Sequence, residues 1–294
     1  MNRRKFLNIA MAGGAAAALA PGPGDAQVAP VETSARIVII GAGAAGTALA
    51  NRLPEGVTWL PERVAAVDAE ARTVSTESGQ RLDYDWLVVA PGLVLDHDAI
   101  EGFNLDMVGQ DGIGALYAGP EHAARTWAAA SRFAEEGGTG LFTRPATEMK
   151  CAGAPLKHTF LIDDIGRRAG NAGRMNMIYA APQSALFGVP IVAEKVRMLF
   201  EDRGVETMMN RTLTAIDAGA RRATFAVDGG TEEVDYDYIH VIPPQRAPDF
   251  VVQSGLAWAD RWTDQGWVEV DMQTLRHLRH PEIFALGDVA GVPK

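Results

Sequence analysis

The sequence predicts an α/β protein of two Rossmann-like domains, the second inserted in the first, and three observations carry that prediction. An apolar run, Ile37-Val38-Ile39-Ile40, leads straight into Gly41-Ala42-Gly43-Ala44-Ala45-Gly46 and an alanine-rich stretch that can turn helical. Near the other end Ile283-Phe284-Ala285-Leu286 runs into Gly287-Asp288. Between them, one stretch of chain repeats another.

The front segment reads as strand, turn and helix. In a G-x-G-x-x-G turn Gly41 permits the sharp exit from the strand, Gly43 lets a pyrophosphate approach the main chain, and Gly46 lets the helix pack on the sheet. The backbone N–H groups of Ala44 and Ala45 complete the phosphate-facing turn. In a chain with 31 glycines this motif alone is weak, and an Ala/Gly-rich turn is the bland alternative. The strand before it and the helix after it favour a dinucleotide cradle, with Gly287-Asp288 as its second half.

The repeat sets the middle of the chain. Gly56-Val57, Val64–Arg72 and Asp83–Gly92 match Gly204-Val205, Leu213–Arg221 and Asp235–Pro244. Each copy reads as a short antiparallel meander with a glycine turn followed by a buried closing strand. Upstream the copies differ. The second has a strand at Gly140–Thr143, a helix from about Pro155 to Arg168, a strand at Met175–Tyr179 and a helix from about Ile191 to Arg203. The first has only the strand at Ile37–Ile40 and a helix ending near Leu53, so one strand-plus-helix unit is absent. Glu62 lies where a ribose-binding acid is expected by spacing from Gly41, yet the repeat pairs it with Asn210, past that position.

The second unit lacks a nucleotide turn of its own. After Gly140–Thr143 comes Arg144-Pro145-Ala146-Thr147-Glu148-Met149-Lys150-Cys151, with no glycine before Gly153. The strand at Met175–Tyr179 exits into Ala180-Ala181-Pro182, without an acid for a ribose. No nicotinamide nucleotide is expected to bind there. Cys151, the single cysteine, stands ahead of a helix that Pro155 opens, beside Lys150 and with Lys157 and His158 in the first turn. Those neighbours favour a reactive thiolate; a small buried hydrophobe on a loop is the other reading.

The N-terminus reads as an export signal. Arg3-Arg4-Lys5 precedes an apolar run from Ile9 to Ala20, too short to span a bilayer, and the twin arginine points to the twin-arginine route, with cleavage after Ala26. The expected location is the periplasm. The formal net charge of −10 argues against nucleic acid and anionic lipid as partners, and no other stretch approaches transmembrane length. One cysteine forms no internal disulfide, and no metal site is read. The domain boundaries follow as a signal at 1–26, an incomplete dinucleotide-binding domain at 35–118 plus 240–294, and a second domain at 119–239 carrying Cys151.

Taken together, Gly41-x-Gly43-x-x-Gly46, Val88-Val89-Ala90-Pro91-Gly92, Lys150-Cys151-Ala152-Gly153-Ala154-Pro155, Ile242-Pro243-Pro244-Gln245-Arg246 and Leu286-Gly287-Asp288 resemble the sulfide:quinone oxidoreductases and the flavin subunit of flavocytochrome c sulfide dehydrogenase, within the FAD-dependent pyridine nucleotide-disulfide oxidoreductases. The resemblance covers nearly all of residues 35–294. It implies FAD held by Gly41, Gly43 and Gly46, with Ala90-Pro91-Gly92 passing close by and Asp288 on the ribityl chain. It implies that Cys151 is one of two redox cysteines and binds sulfide sulfur, the electrons passing to a quinone or a c-type cytochrome. The family's second cysteine and its C-terminal helix have no counterpart before Lys294, so the chain reads as internally deleted and C-terminally truncated. An NADH:quinone oxidoreductase and a non-catalytic flavin-fold module are the competing readings.

Overall fold

Residues 34–50 and 57–292 are described by the computed structural model of the protein. The export signal read at 1–26 and the end of the first helix near Leu53 lie outside them. Arg36–Lys294 groups into one unit, which begins with β1 (Ile37–Ile40), where branched apolar residues favour extended backbone. Then come α1 (Ala44–Ala50), a meander of β2 (Val64–Asp68), β3 (Thr73–Thr76) and β4 (Arg81–Asp83), and β5 (Trp86–Val89). A crossover carrying β6 (Val94–Leu95) and β7 (Ile113–Gly114) leads to α2 (Pro120–Glu136).

The second copy follows. It runs β8 (Gly138–Thr143), α3 (Ala154–Arg168), β9 (Met175–Ala181), α4 (Pro190–Arg203), β10 (Glu206–Met209), a meander of β11 (Thr212–Asp217), β12 (Arg222–Val227) and β13 (Gly230–Asp235), and β14 (Tyr238–His240). The chain closes through β15 (Gln245–Arg246), α5 (Asp249–Gln253), β16 (Val268–Glu269), β17 (Ile283–Ala285) and β18 (Ala290–Gly291). α4 starts on Pro190 and stops on Gly204, whose left-handed backbone caps it.

Two parallel sheets result. One has the order β1-β5-β17, the other β10-β9-β8-β14-β7. Parallel strands are covered on both faces, and the packing obeys this: Leu141, Ile178 and Ile239 face one apolar cluster, Phe142, Tyr179 and Tyr238 another. A third cluster gathers Ile40, Leu87, Val89, Ile283 and Ala285 around the three-stranded sheet. The mixed α/β fold with parallel sheets is as the sequence predicts.

The repeat extends to irregularities. β2–β3 shifts register between Val64 and Ala66, and β11–β12 shifts at the matching Leu213 and Ala215. Arg72 and Arg221 both have left-handed backbone, and the Tyr84 and Tyr236 N–H groups donate to their respective carbonyls. Asp85 Oδ2 accepts from the Arg36 N–H at 2.6 Å, and Asp237 Oδ2 from the Thr139 N–H at 2.7 Å. Ile37 lies opposite Trp86 as Gly140 lies opposite Tyr238. Counting outward, Arg144 stands where the first copy has Gly41. Among the described residues the first sheet has no counterpart of β9 or β10.

Candidate active site

The glycine turn is built by close approach. Gly41 leaves β1 with φ +107°, and a Cβ there would lie 2.2 Å from the Ala90 carbonyl oxygen, so a side chain is barred both by conformation and by contact. The Ala90 N–H donates to Ile40 O at 2.8 Å, which holds Ala90-Pro91-Gly92 against the turn. At Gly46 a Cβ would lie 2.1 Å from the Gly41 carbonyl oxygen, so the helix can sit this low only with glycine. Gly43 differs: nothing comes within 4 Å of its Cβ position. That open face is where a pyrophosphate would meet the main chain.

The far end of the chain completes the cradle. After β17, Gly287-Asp288-Val289 forms a single 3₁₀ turn. A Cβ on Gly287 would stand 3.2 Å from Ala45 Cβ, and the Leu286 N–H donates to Val89 O at 3.0 Å. Segments distant in sequence thus meet at the carboxyl ends of β1, β5 and β17, the place where open parallel sheets hold nucleotides. Asp288 is half-buried and has no hydrogen-bond partner among the described residues. A dinucleotide such as FAD fits this arrangement of open glycine face and unspent carboxylate. Glu62 is not part of it, since its carboxylate accepts from Ser78 Oγ at 2.5 Å within the meander.

Cys151 is exposed, which removes the buried-hydrophobe reading. Its φ is +51°, a left-handed conformation costing a non-glycine residue about 1 kcal/mol or more. The loop is held from several sides. Its carbonyl accepts from the Ala154 N–H at 2.8 Å and from Tyr117 Oη at 3.1 Å. The Lys150 N–H donates to Gln245 Oε1 at 2.9 Å, the Gln245 N–H to Thr147 Oγ1 at 2.9 Å, and Gln265 Nε2 to Glu148 O at 3.2 Å. Lys150 Nζ sits 5.8 Å from the centre of the Tyr117 ring. Gln245 and Tyr117 are anchors that sequence reasoning missed; neither carries a local signal, because each acts across the fold.

One expected neighbour is corrected. His158 does not supply positive charge to Cys151: its side chain turns inward, with Nε2 hydrogen-bonded to Tyr238 Oη at 2.7 Å and its ring 4.4 Å from that of His240. Burial pushes its pKa down to about 4, so it is neutral at pH 7. Lys150 and the exposed Lys157 remain as the basic residues of the segment. Between β8 and α3 the second copy shows no glycine turn, and buried Arg144 fills the position of Gly41. No group of His, Cys, Asp and Glu side chains among the described residues could hold a metal, and none of the helices described is long and apolar enough to cross a membrane.

Comparison with known proteins places these features in context. Residues 165–294 match the family profile described as pyridine nucleotide-disulphide oxidoreductase. A mitochondrial sulfide:quinone oxidoreductase of Mus musculus is 32% identical over 284 residues, covering 92% of this chain and 61% of that protein. Its counterpart in Dictyostelium discoideum is 32% identical, over 82% of this chain and 52% of the relative. Among solved structures, the sulfide:quinone oxidoreductase of Aquifex aeolicus superposes with a TM-score of 0.63 at 23% identity, over 80% of this chain and 53% of that one. This likeness speaks to fold alone. The chain spans between about half and three-fifths of the curated relatives described here.

Proposed function

The chain belongs to the pyridine nucleotide-disulphide oxidoreductase family, and on that premise we propose that it is an FAD-dependent enzyme that takes sulfide sulfur onto Cys151 and delivers the electron pair to a quinone. The observation that carries the proposal is a pairing. One copy of the repeat has an open glycine cradle, and the other presents an exposed thiol from the turn that would otherwise bind a second nucleotide.

In the proposed reaction an S–S bond forms between Cys151 and hydrogen sulfide. The Cys151 thiol and H₂S together lose two electrons and two protons, leaving a cysteine persulfide. FAD, when bound, supplies the two-electron sink. The chain's own residues do the positioning. Gly43, with nothing within 4 Å of its Cβ position, would leave room for the pyrophosphate, Asp288 would offer a carboxylate to cofactor hydroxyls, and the Ala90–Gly92 loop fixes the turn. Gln245, Gln265 and Tyr117 hold the cysteine loop rigid, which keeps the sulfur from drifting. A reading as NADH:quinone oxidoreductase loses support because Arg144 stands in place of the glycine that a second pyrophosphate needs.

The acceptor proposed is a quinone, as the names of the relatives suggest; a c-type cytochrome is the finer alternative. Export by the twin-arginine route to the periplasm is proposed from Arg3-Arg4 and the apolar run after them. The test begins with FAD reconstitution of the purified protein. Sulfide should bleach the bound flavin, Cys151 should gain one sulfur by mass, and Cys151→Ser should retain flavin yet neither bleach nor gain mass. A protein that takes up no FAD removes the enzyme reading and leaves the non-catalytic module. Bleaching at the wild-type rate in Cys151→Ser removes the thiol from the mechanism.

A further inference from the structure

Arg144 is 8% exposed, and its Nε has no hydrogen-bond partner. Eighteen ion pairs link the described residues, and Arg144 takes part in none. A guanidinium is always charged, and burying a charge without a counter-charge is expensive. Contrast Asp163, 2% exposed, which is paired with both Arg167 and Arg203. No carboxylate among the described residues balances Arg144, and its Nε is sealed from solvent.

Its place in the fold says what could balance it. Arg144 is the first residue beyond β8, and its N–H donates to Ala180 O at 3.1 Å. By strand alternation it projects to the same face as Phe142, the face that also carries Tyr179, paired opposite Phe142. The Tyr179 hydroxyl is fully buried and likewise unpartnered. Arg144 acts electrostatically on the hydroxyls of both Tyr179 and Tyr117, and Cys151 acts on Tyr117. Two orphaned donors therefore lie together at the carboxyl end of the second sheet, beside the cysteine turn. With no carboxylate pairing Arg144, the cluster suits an oxyanion: the guanidinium fork offers parallel N–H groups and Tyr179 a third donor, beside the amide of Gln183, whose Nε2 donates to Pro145 O and whose Oε1 is unpartnered.

We propose that Arg144 and Tyr179 form a binding site for a compact oxyanion next to Cys151, in the place where the first copy of the repeat has its glycine turn. The site is a property of the second unit and holds with or without FAD, so it stands or falls separately from the proposed reaction.

The test compares two alkylating reagents of one chemistry and different charge. Cys151 is alkylated by iodoacetate, which carries a carboxylate, and by neutral iodoacetamide, and the ratio of the two rates is taken. A change in thiol ionisation moves both rates equally and cancels, whereas a neighbouring anion site favours iodoacetate. Arg144→Gln should lower the ratio by roughly three- to tenfold, the effect of one unit charge at such range. An unchanged ratio overturns the proposal. Equal slowing of both reagents overturns it too, because Arg144 would then be serving the thiolate itself. Should the variant fail to fold, the wild-type protein still decides: inorganic sulfate at constant ionic strength should protect against iodoacetate saturably and spare the iodoacetamide rate. Protection that is linear in sulfate, or equal for both reagents, removes the site.

Discussion

Gly43 and Gly46 differ in what limits them, and the difference can be measured. At Gly46 a methyl group would collide with the Gly41 carbonyl at 2.1 Å, so Gly46→Ala should displace the helix and lower stability by about 1–3 kcal/mol, seen in urea melts. At Gly43 an added Cβ has nothing within 4 Å. Gly43→Val should therefore melt within about 1 kcal/mol of wild type yet lose FAD in equilibrium dialysis; unimpaired uptake would place the pyrophosphate elsewhere. His158 gives a pH prediction. Its folded pKa of about 4 lies below the ordinary 6.5, so the unfolded chain binds more protons between those values. The stability is fully present above about 6.5 and falls as pH drops toward 4, by about 2 kcal/mol at pH 5 from this group. His158→Gln should flatten urea stability between pH 7.5 and 5 by that amount; an unaltered slope would mean that the acid sensitivity arises elsewhere, for instance at buried His240 and His277, whose values are also depressed.

At the scale of elements, the cysteine loop depends on one side chain from another strand. Gln245 on β15 accepts from Lys150 N–H and is fully buried. Gln245→Ala should leave that amide unpaired, at about 1–3 kcal/mol, and raise hydrogen exchange at residues 147–151 while the cradle stays protected. Unchanged exchange there would show that Gln265 and Tyr117 suffice. None of this was legible locally, because Gln245 follows Cys151 by ninety-four positions and its role exists only once β15 folds back. The strands and helices were legible. Branched apolar runs, Pro155, Pro190 and Gly204 mark them, and observed bounds such as Ala154–Arg168 and Pro190–Arg203 lie within a residue or two of those read from pattern. His158 was misplaced for a plain reason: helical spacing puts a residue in a first turn without saying which side faces the core, and here Phe142, Tyr238 and His240 claim it.

Over the whole molecule, the repeat is what made the architecture readable, since matched positions share even a register shift and a left-handed arginine. Counting through the repeat also reveals Arg144 as the counterpart of Gly41, a fact present in the sequence but meaningful only when burial is known. The N-terminal export proposal lies beyond the described residues and has its own test. Changing Arg3 and Arg4 to Lys should keep the precursor in the cytoplasm on fractionation, and an undiminished periplasmic yield would exclude the twin-arginine route.

The backbone at position 151 has one further consequence, for how this gene drifts. With φ at +51°, folding by itself prefers glycine there by about 1 kcal/mol, and a cysteine codon becomes a glycine codon by a single-base change. Lineages selected only for a stable fold would therefore slide toward glycine at this site. A thiol persists there only while something other than stability selects for it, and surveying natural variants at this one codon is a direct way to see whether that selection is still in force.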